Sequence, residues 1–411
     1  MTRSGDVRRA SPASRRQVAV LFGGRSLEHD VSIVSGLQIA HALDPTAYDV
    51  VPVYIDQQLR WWRGDALWYP EAFKGSGPRR SGLTEVTLSP GFGTSRLQPV
   101  GRRWGMAGAG LAVDVFLPIL HGTHGEDGCM QGLLELGGCA YVGCGVTASA
   151  VGMSKRLSKI VAAHAGVPVV PWIAYRRQEL ARGATWADAL LSDVVARFGW
   201  PVIVKPCNLG SSAGVSTARS PEELVAGVLR VFECDVEALV EPFLTNRLEL
   251  NVAVAGLADP VASVTEMPVT SQASPLTFSE KYKRQGRKSI GSSEGMAGAL
   301  RGLDPADLPT DLRQRAQAYA MTVFAALGCE GIARIDFLID VDPTKTGEPS
   351  GLYFNEINTL PGSLAFYLWS AAPHYWTITG LLDALITRAL DRQAMQHGLR
   401  RQPPADLKLF G

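Results

Sequence analysis

The chain has 411 residues, of which 46% are hydrophobic and 19% charged, and its formal net charge is +1. That length exceeds one ordinary hydrophobic core, so two or three packed domains are expected. The balanced charge gives no reason to expect a nucleic-acid or membrane partner, and no apolar run approaches the roughly 20 residues needed to cross a bilayer.

Residues 1–16 carry Arg3, Arg8, Arg9, Arg15 and Arg16 without an apolar segment behind them. They read as a disordered leader, with a targeting role as the alternative. The cysteines (Cys129, Cys139, Cys144, Cys207, Cys234 and Cys329) are scattered and form no CxxC pair. That usage fits a reducing compartment, hence the cytoplasm. Residues 17–22 predict a buried strand, followed by Gly23-Gly24, a helix over 26–43 and a second strand over 49–55. This order predicts a parallel α/β unit. Residues 56–112 are rich in Gly, Arg and Trp with little periodicity, and read as a loop-rich insertion. A buried strand over 113–120 leads into a polar Gly-rich turn.

A domain boundary is expected near residue 150. Beyond it, the spacing of Leu157, Ile160 and Val161 predicts a helix over 155–165, ended by Gly166 and Pro168. Strands are expected at 201–205, 237–241 and 248–255. Ser220 and Pro221 open a helix over 221–232. Residues 270–300 read as a mobile Ser/Gly/Lys loop. A helix over 309–327, strands over 331–340 and 352–356, a last helix over 376–393 and a flexible tail from 396 complete the chain.

Three groups of residues carry chemistry. The loop from Lys205 to Gly214 follows a strand. Its glycines and hydroxyls let backbone N–H groups approach an anion, while Lys205 supplies charge. It is not a GxxxxGK[ST] loop, because the lysine precedes the glycines, and a plain hairpin turn with a solvated lysine is the competing reading. In the second group, Arg334 and Asp336 share one strand face by alternation, as do Glu356 and Asn358. Carboxylates and an amide are the hard oxygen donors that Mg²⁺ takes while it bridges phosphates. Surface alternation with a salt bridge is the competing reading; the flanking Ile332, Phe337, Phe354 and Ile357 argue against it. The third group is Glu28 after Gly23-Gly24, together with the turn from His121 to Gly128. Both follow strands, where open α/β sheets bind ligands. No GxGxxG follows the first strand, which leaves a dehydrogenase remote.

In chain order these residues form the motifs VLFGGRSLEHDVS (20–32), HGTHGEDG (121–128), MSK (153–155), VKPCNLGSSAG (204–214), VEPFLTNRLEL (240–250), EKY (280–282), ARIDF (333–337) and NEINTLPG (355–362). Together they resemble the D-alanine–D-alanine ligases of the ATP-grasp superfamily over residues 17–393. The resemblance implies an α/β and α+β, three-domain ATP-grasp architecture. An N-terminal parallel-sheet domain would span 17–150, a central subdomain 151–245, and a C-terminal subdomain 246–395 with a lid about 270–300. It further implies that Lys155 and Lys205 hold the α- and β-phosphates of ATP beside Gly210 and Ser212, with Glu241 and Leu244 at the adenine and Glu249 at the ribose. Asp336, Glu356 and Asn358 would bind two Mg²⁺ ions, for which Mn²⁺ can substitute. Arg334 would stabilise the transferring phosphoryl. Glu28 would anchor the first D-alanine, with His121 against it. Glu28, Ser211 and Tyr282 would close the site, Lys281 would reach the transferred phosphate or the acceptor carboxylate, and Gly362 and Ser363 would meet the acceptor. A cytoplasmic homodimer serving peptidoglycan precursor synthesis is implied.

Glu249 lies one residue later than the family spacing. The segments 283–300 and 363–369 also depart from the pattern, and both bear on the acceptor. A ligase of the same type using D-serine, a hydroxy acid or a specialised amino acid is therefore the alternative. A nucleotide-binding sensor without turnover is the alternative from another class.

Overall fold

The computed structural model describes residues 15–75, 77–78, 81–89, 91, 93–101, 110–183, 185–256, 259–268, 301–341, 349–371, 373 and 375–400. The expected leader falls outside them up to residue 14, as does the expected lid from residue 269 to 300.

The first unit opens with β1 (Arg16–Gly23), α1 (His29–Ala42) and β2 (Tyr48–Ile55). β3 (Trp61–Arg63), β4 (Thr84–Leu88), β5 (Arg96–Pro99), β6 (Leu111–Ala112) and β7 (Val115–Ile119) complete a seven-stranded sheet in the order β6-β5-β4-β3-β2-β1-β7. Only β2, β1 and β7 run parallel. The apolar run Val18–Phe22 is fully buried because both faces of β1 are covered, as parallel sheets require. The segment 56–112, expected as a loop-rich insertion, instead supplies four antiparallel strands that extend this sheet. Those strands are short and half-polar, so they carry little periodic signal.

At the end of β1, Gly23 has φ +96, and a Cβ there would lie 2.3 Å from the Ile55 carbonyl oxygen. Only glycine permits that turn. Ser32 of α1 then ties the strand ends together: its hydroxyl accepts from the Gly23 N–H at 2.8 Å and donates to the Ile119 carbonyl at 2.5 Å.

Next come α2 (Cys129–Leu136), α3 (Val146–Met153) and α4 (Lys155–His164), the last capped by the Ser154 hydroxyl. A second, four-stranded antiparallel sheet follows. It holds β8 (Ile173–Arg176), α5 (Thr185–Arg197), β9 (Val202–Pro206), β10 (Ser216–Ala218), α6 (Pro221–Val231) and β11 (Glu237–Pro242), in the order β10-β9-β11-β8. Its core is its own, built from residues such as Leu190, Val204 and Val228. Packing crosses the division expected between residues 245 and 246. Ala162 of α4 and Val167 share a core with the third sheet, and the Phe354 N–H donates to the Pro168 carbonyl at 2.8 Å.

The third sheet comprises β12 (Arg247–Gly256), β13 (Val261–Pro268), β14 (Arg301–Leu303), β15 (Gly331–Val341) and β16 (Pro349–Asn358), ordered β14-β13-β12-β15-β16. α7 (Thr310–Ala326) covers one face, and α8 (Ile378–His397) returns to the first unit. α8 runs past the expected start of a tail at 396, and His397 hydrogen-bonds the Gly138 carbonyl at 3.1 Å. Residues 401–411 lie outside the described ones.

Arg392 of α8 is the latch between first and third units. Its guanidinium donates to the carbonyls of Gly143 and Tyr141 at 2.8 and 2.6 Å, meets Glu330 at 2.9 Å and lies over the Tyr141 ring. The backbones are pressed so close here that a Cβ on Gly331 would sit 2.6 Å from the Gly143 Cα. Arg392→Ala leaves two buried carbonyls without donors and should cost about 3 kcal/mol. Urea unfolding monitored by fluorescence measures that loss.

Candidate active site

β15 and β16 pair so that Arg334 lies opposite Asn358 and Asp336 opposite Glu356. The shared face expected from alternation is therefore real. Arg334 grips the Asp336 carboxylate through Nε and Nη2 at 2.7 and 2.8 Å, and the Asn358 amide donates to the same carboxylate at 3.0 Å. Burial pushes the Asp336 carboxyl up, Arg334 pulls it down, and the facing Glu356 pushes it up again, with a net rise. Burial opposes the Arg334 charge, but Asp336 more than offsets it and holds the guanidinium well above its ordinary value.

The register slips by one residue just after this pair: Asp336 faces Glu356 while Phe337 faces Phe354. Asn355 is the extra residue of a bulge, and bulges re-aim side chains. Its Oδ1 accepts from the Lys205 ammonium at 3.1 Å.

Lys205 is buried and ion-paired, which removes the reading of a solvated lysine on a hairpin turn. Its Nζ lies 2.6 Å from Glu241 Oε2. Glu241 Oε1 in turn meets Lys159 Nζ at 2.8 Å, with side-chain exposures of 0% for Lys159 and 1% for Glu241. Burial would raise the Glu241 carboxyl, but the two ammoniums hold it below its ordinary value. Burial and the Lys205 charge bring Lys159 below an ordinary lysine despite Glu241. Lys155, one turn away on α4, pairs with Glu356 at 3.0 Å and donates to the Leu209 carbonyl at 2.6 Å. Burial works against its charge, but Glu356 raises its pKa overall.

Among the described residues, Lys155 and Lys205 each use two of the three donors an ammonium offers, while Glu241 Oε1 has the Lys159 charge but no aligned hydrogen bond. The arrangement can thus hold a polyanion between lysines, with a hydrogen-bonding group beside Glu241. No group of three or more His, Cys, Asp or Glu side chains among the described residues converges on a metal. Two carboxylates and an amide fit a cation that completes its shell with phosphate oxygens and water.

The N-terminal unit closes the opposite side. Ser211 hydrogen-bonds the Glu28 carboxylate across the cleft. Ser211 and Ser212 hold left-handed φ values of +55 and +58, a strained pair that follows Gly210. Gly210 itself lies against Glu28, where a Cβ would sit 3.3 Å from Oε2. His121 is buried and hydrogen-bonds Ser35 at 3.0 Å; burial lowers its pKa, and Glu28 counteracts this only in part. The same Ser35 hydroxyl accepts from the Ser363 N–H at 3.3 Å, while the Ser363 hydroxyl donates to Gln38 at 2.7 Å. Ser363, Leu364 and Ala365, directly after the half-buried Gly362, all adopt left-handed φ.

Glu249 and Leu244 are both half-buried, Glu249 opposite Leu338 on β15 and Leu244 just before β12. Lys281 and Tyr282 lie outside the described residues. Sequence reasoning gave no role to Lys159, Asn355 or Ser35, and singled out Glu126 only as part of the His121–Gly128 turn. Lys159 carried a signal, since it lies four residues after Lys155 on one helix face.

Glu126 binds the two halves of the cleft together. Its carboxylate accepts from the Gly122 N–H at 2.7 Å, and its carbonyl accepts from the Thr359 hydroxyl at 3.3 Å. Burial, then the Glu28 charge, pushes it up to about 8 from 4.5. Between those values the folded state keeps a proton that the unfolded chain has released, so stability falls as pH rises. Glu126→Gln should remove that slope: the unfolding free energy of the variant gains on the wild type from pH 5 to pH 8. A difference that stays flat across this range, followed by urea titrations, contradicts the assignment.

Residues 17–144 match the family model of the D-ala D-ala ligase N-terminus, and residues 161–390 that of the D-ala D-ala ligase C-terminus. The chain is 38% identical over 397 residues to the D-alanine–D-alanine ligase of Kineococcus radiotolerans, covering 93% of this chain and 98% of that one. It is 36% identical over 401 residues to D-alanine–D-alanine ligase A of Bradyrhizobium diazoefficiens, covering 94% and 99%. Among solved structures, the D-alanine–D-alanine ligase of Coxiella burnetii superposes with a TM-score of 0.74 at 29% identity, covering 94% and 97%. The VanG D-Ala:D-Ser ligase of Enterococcus faecalis superposes with 0.70 at 25%, covering 91% and 99%.

Proposed function

The chain belongs to the D-alanine–D-alanine ligase family, and from that premise we propose that it uses ATP to join two D-alanines through a D-alanyl phosphate, for peptidoglycan precursor synthesis. Its architecture is the α/β, three-domain ATP-grasp fold. One observation carries the reading: two lysine–glutamate ion pairs, Lys155–Glu356 and Lys205–Glu241, stand with the facing Asp336–Glu356 pair. The domains of this reading are 17–150, 151–245 and 246–395.

A carboxylate is a poor electrophile until phosphorylation gives it a leaving group. Lys155 and Lys205 hold the α- and β-phosphates of ATP, with the backbone of Gly210 and Ser212 closing over them. Glu241 and Leu244 meet the adenine, and Glu249 the ribose hydroxyls. Asp336, Glu356 and Asn358 hold two Mg²⁺ ions, which neutralise phosphate charge when bound. Arg334, fixed against Asp336, presents its remaining donors to the transferring phosphoryl and the tetrahedral oxyanion.

Glu28 receives the ammonium of the first D-alanine, and its bond to Ser211 draws the glycine loop over the substrate. Neutral His121 lies against that substrate without competing for the Glu28 charge. By the resemblance, Tyr282 completes the Glu28–Ser211 set and Lys281 reaches the transferred phosphate. Gly362 and Ser363 stand at the acceptor end, where the Ser363 hydroxyl must leave Gln38 to reach a carboxylate. The enzyme acts in the cytoplasm as a homodimer. Its thiols are free, and no described helix is long and apolar enough to cross a membrane.

A D-serine or hydroxy-acid acceptor is the second reading, favoured by the unusual left-handed turn at Ser363–Ala365 and the likeness to a D-Ala:D-Ser ligase. Mass spectrometry of products from ATP, Mg²⁺ and mixed D-amino acids decides between them. D-alanyl-D-alanine should dominate, and a different dipeptide or a depsipeptide overturns the acceptor assignment. Glu356→Gln should lower turnover by about a hundredfold or more, because a neutral amide cannot neutralise the metal; phosphate release at saturating ATP measures this.

A further inference from the structure

Lys159 has no role in the chemistry above, yet it is fully buried, the most costly place for an ammonium. Its nearest partners are Glu241 Oε1 at 2.8 Å and the Phe354 carbonyl at 3.5 Å. Glu241 therefore has two counter-ions, one sealed in the core and one, Lys205, at the edge of the cleft. Lys205 cannot serve a phosphate fully while it neutralises Glu241. If Lys205 were the only partner, its departure would strand a buried carboxylate, which is strongly unfavourable.

We infer that Lys159 is a positioning residue for the nucleotide: it is the permanent counter-charge of Glu241, and it frees Lys205 to turn from Glu241 to the phosphates. The inference rests on the proposed ATP site and adds to it the residue that keeps the phosphate lysine available. Three observations support it. Glu241 splits its two oxygens between the two lysines. Lys205 has a second, neutral partner in Asn355, which costs little to abandon. Lys155 already has its own carboxylate in Glu356, so it cannot substitute for Lys159. The charged groups that act on Glu241 are Lys155 and Lys159 from α4 and Lys205 from β9; Cys207 and, from β16, Glu356 act in turn on Lys155, and Glu356 on Lys159.

The test is calorimetric binding of Mg²⁺-ATP to the full chain without D-alanine, so that no turnover intervenes. Lys159→Met should weaken ATP binding by about tenfold or more at about pH 8, because Lys205 is then held by Glu241. The defect should shrink at a lower pH, because loss of one ammonium raises the Glu241 carboxyl and its protonated form releases Lys205. The wild type should show no comparable change. A Lys159→Met protein that binds within about twofold of wild type at both pH values overturns the inference. If ATP fails to bind the wild type, the nucleotide site itself is wrong.

Should Lys159→Met not fold by circular dichroism, Glu241→Gln and the Glu241→Gln/Lys159→Met double variant decide. With the carboxylate gone, Lys159 has nothing to balance, so the two should bind ATP alike. A difference of about tenfold between them means Lys159 acts by another route and overturns the inference.

Discussion

The cleft is organised around a buried carboxylate shared by two ammoniums. Glu241 comes from β11, Lys205 from β9, and Lys159 from a helix whose apolar side packs on the third sheet. A charge in that interior is tolerated only with partners in good geometry. The second and third sheets are therefore locked together by electrostatics as well as by shape. A shift of either sheet would leave an ammonium or a carboxylate unpaired, so the side chains that face the cleft are held before any ligand arrives. Such preorganisation is what phosphoryl-transfer sites require.

The first unit meets this frame through hydroxyls and backbone. Ser32 holds the strand ends of the N-terminal sheet, and Ser35 connects His121 with the turn at Ser363. Glu126 joins the His121 turn to the segment after β16. Ser211 reaches across to Glu28. Both segments that close on the cleft, Ser211–Ser212 and Ser363–Ala365, sit in left-handed backbone. Strain of that kind persists only where the surroundings over-determine it. Its clustering here agrees with a cleft that must enclose a water-sensitive acyl phosphate.

Electrostatic balance also explains why titrations split within a few ångströms. Glu126 lies near another carboxylate with only backbone N–H donors, and is pushed up to about 8. Glu241 is buried more completely but faces two ammoniums, and stays below its ordinary value. Their partners, rather than their depth, keep one protonated and the other charged at neutral pH.

The sequence by itself determined the parallel β1–α1–β2 start, the main helices and strands, and the family. Those follow from local periodicity, caps and motif order, which need no knowledge of distant partners. It also placed Arg334, Asp336, Glu356 and Asn358 on common faces, because alternation in a strand is a local rule. Tertiary structure decided what local rules cannot express. The bulge that turns Asn355 towards Lys205 breaks the alternation, and it exists only because β15 and β16 pair in that register. The strands between residues 56 and 112 form by adding to an edge already present. Lys159 looked like one more lysine on a helix; only the arrival of Glu241 from a strand far along the chain gives its buried charge a partner.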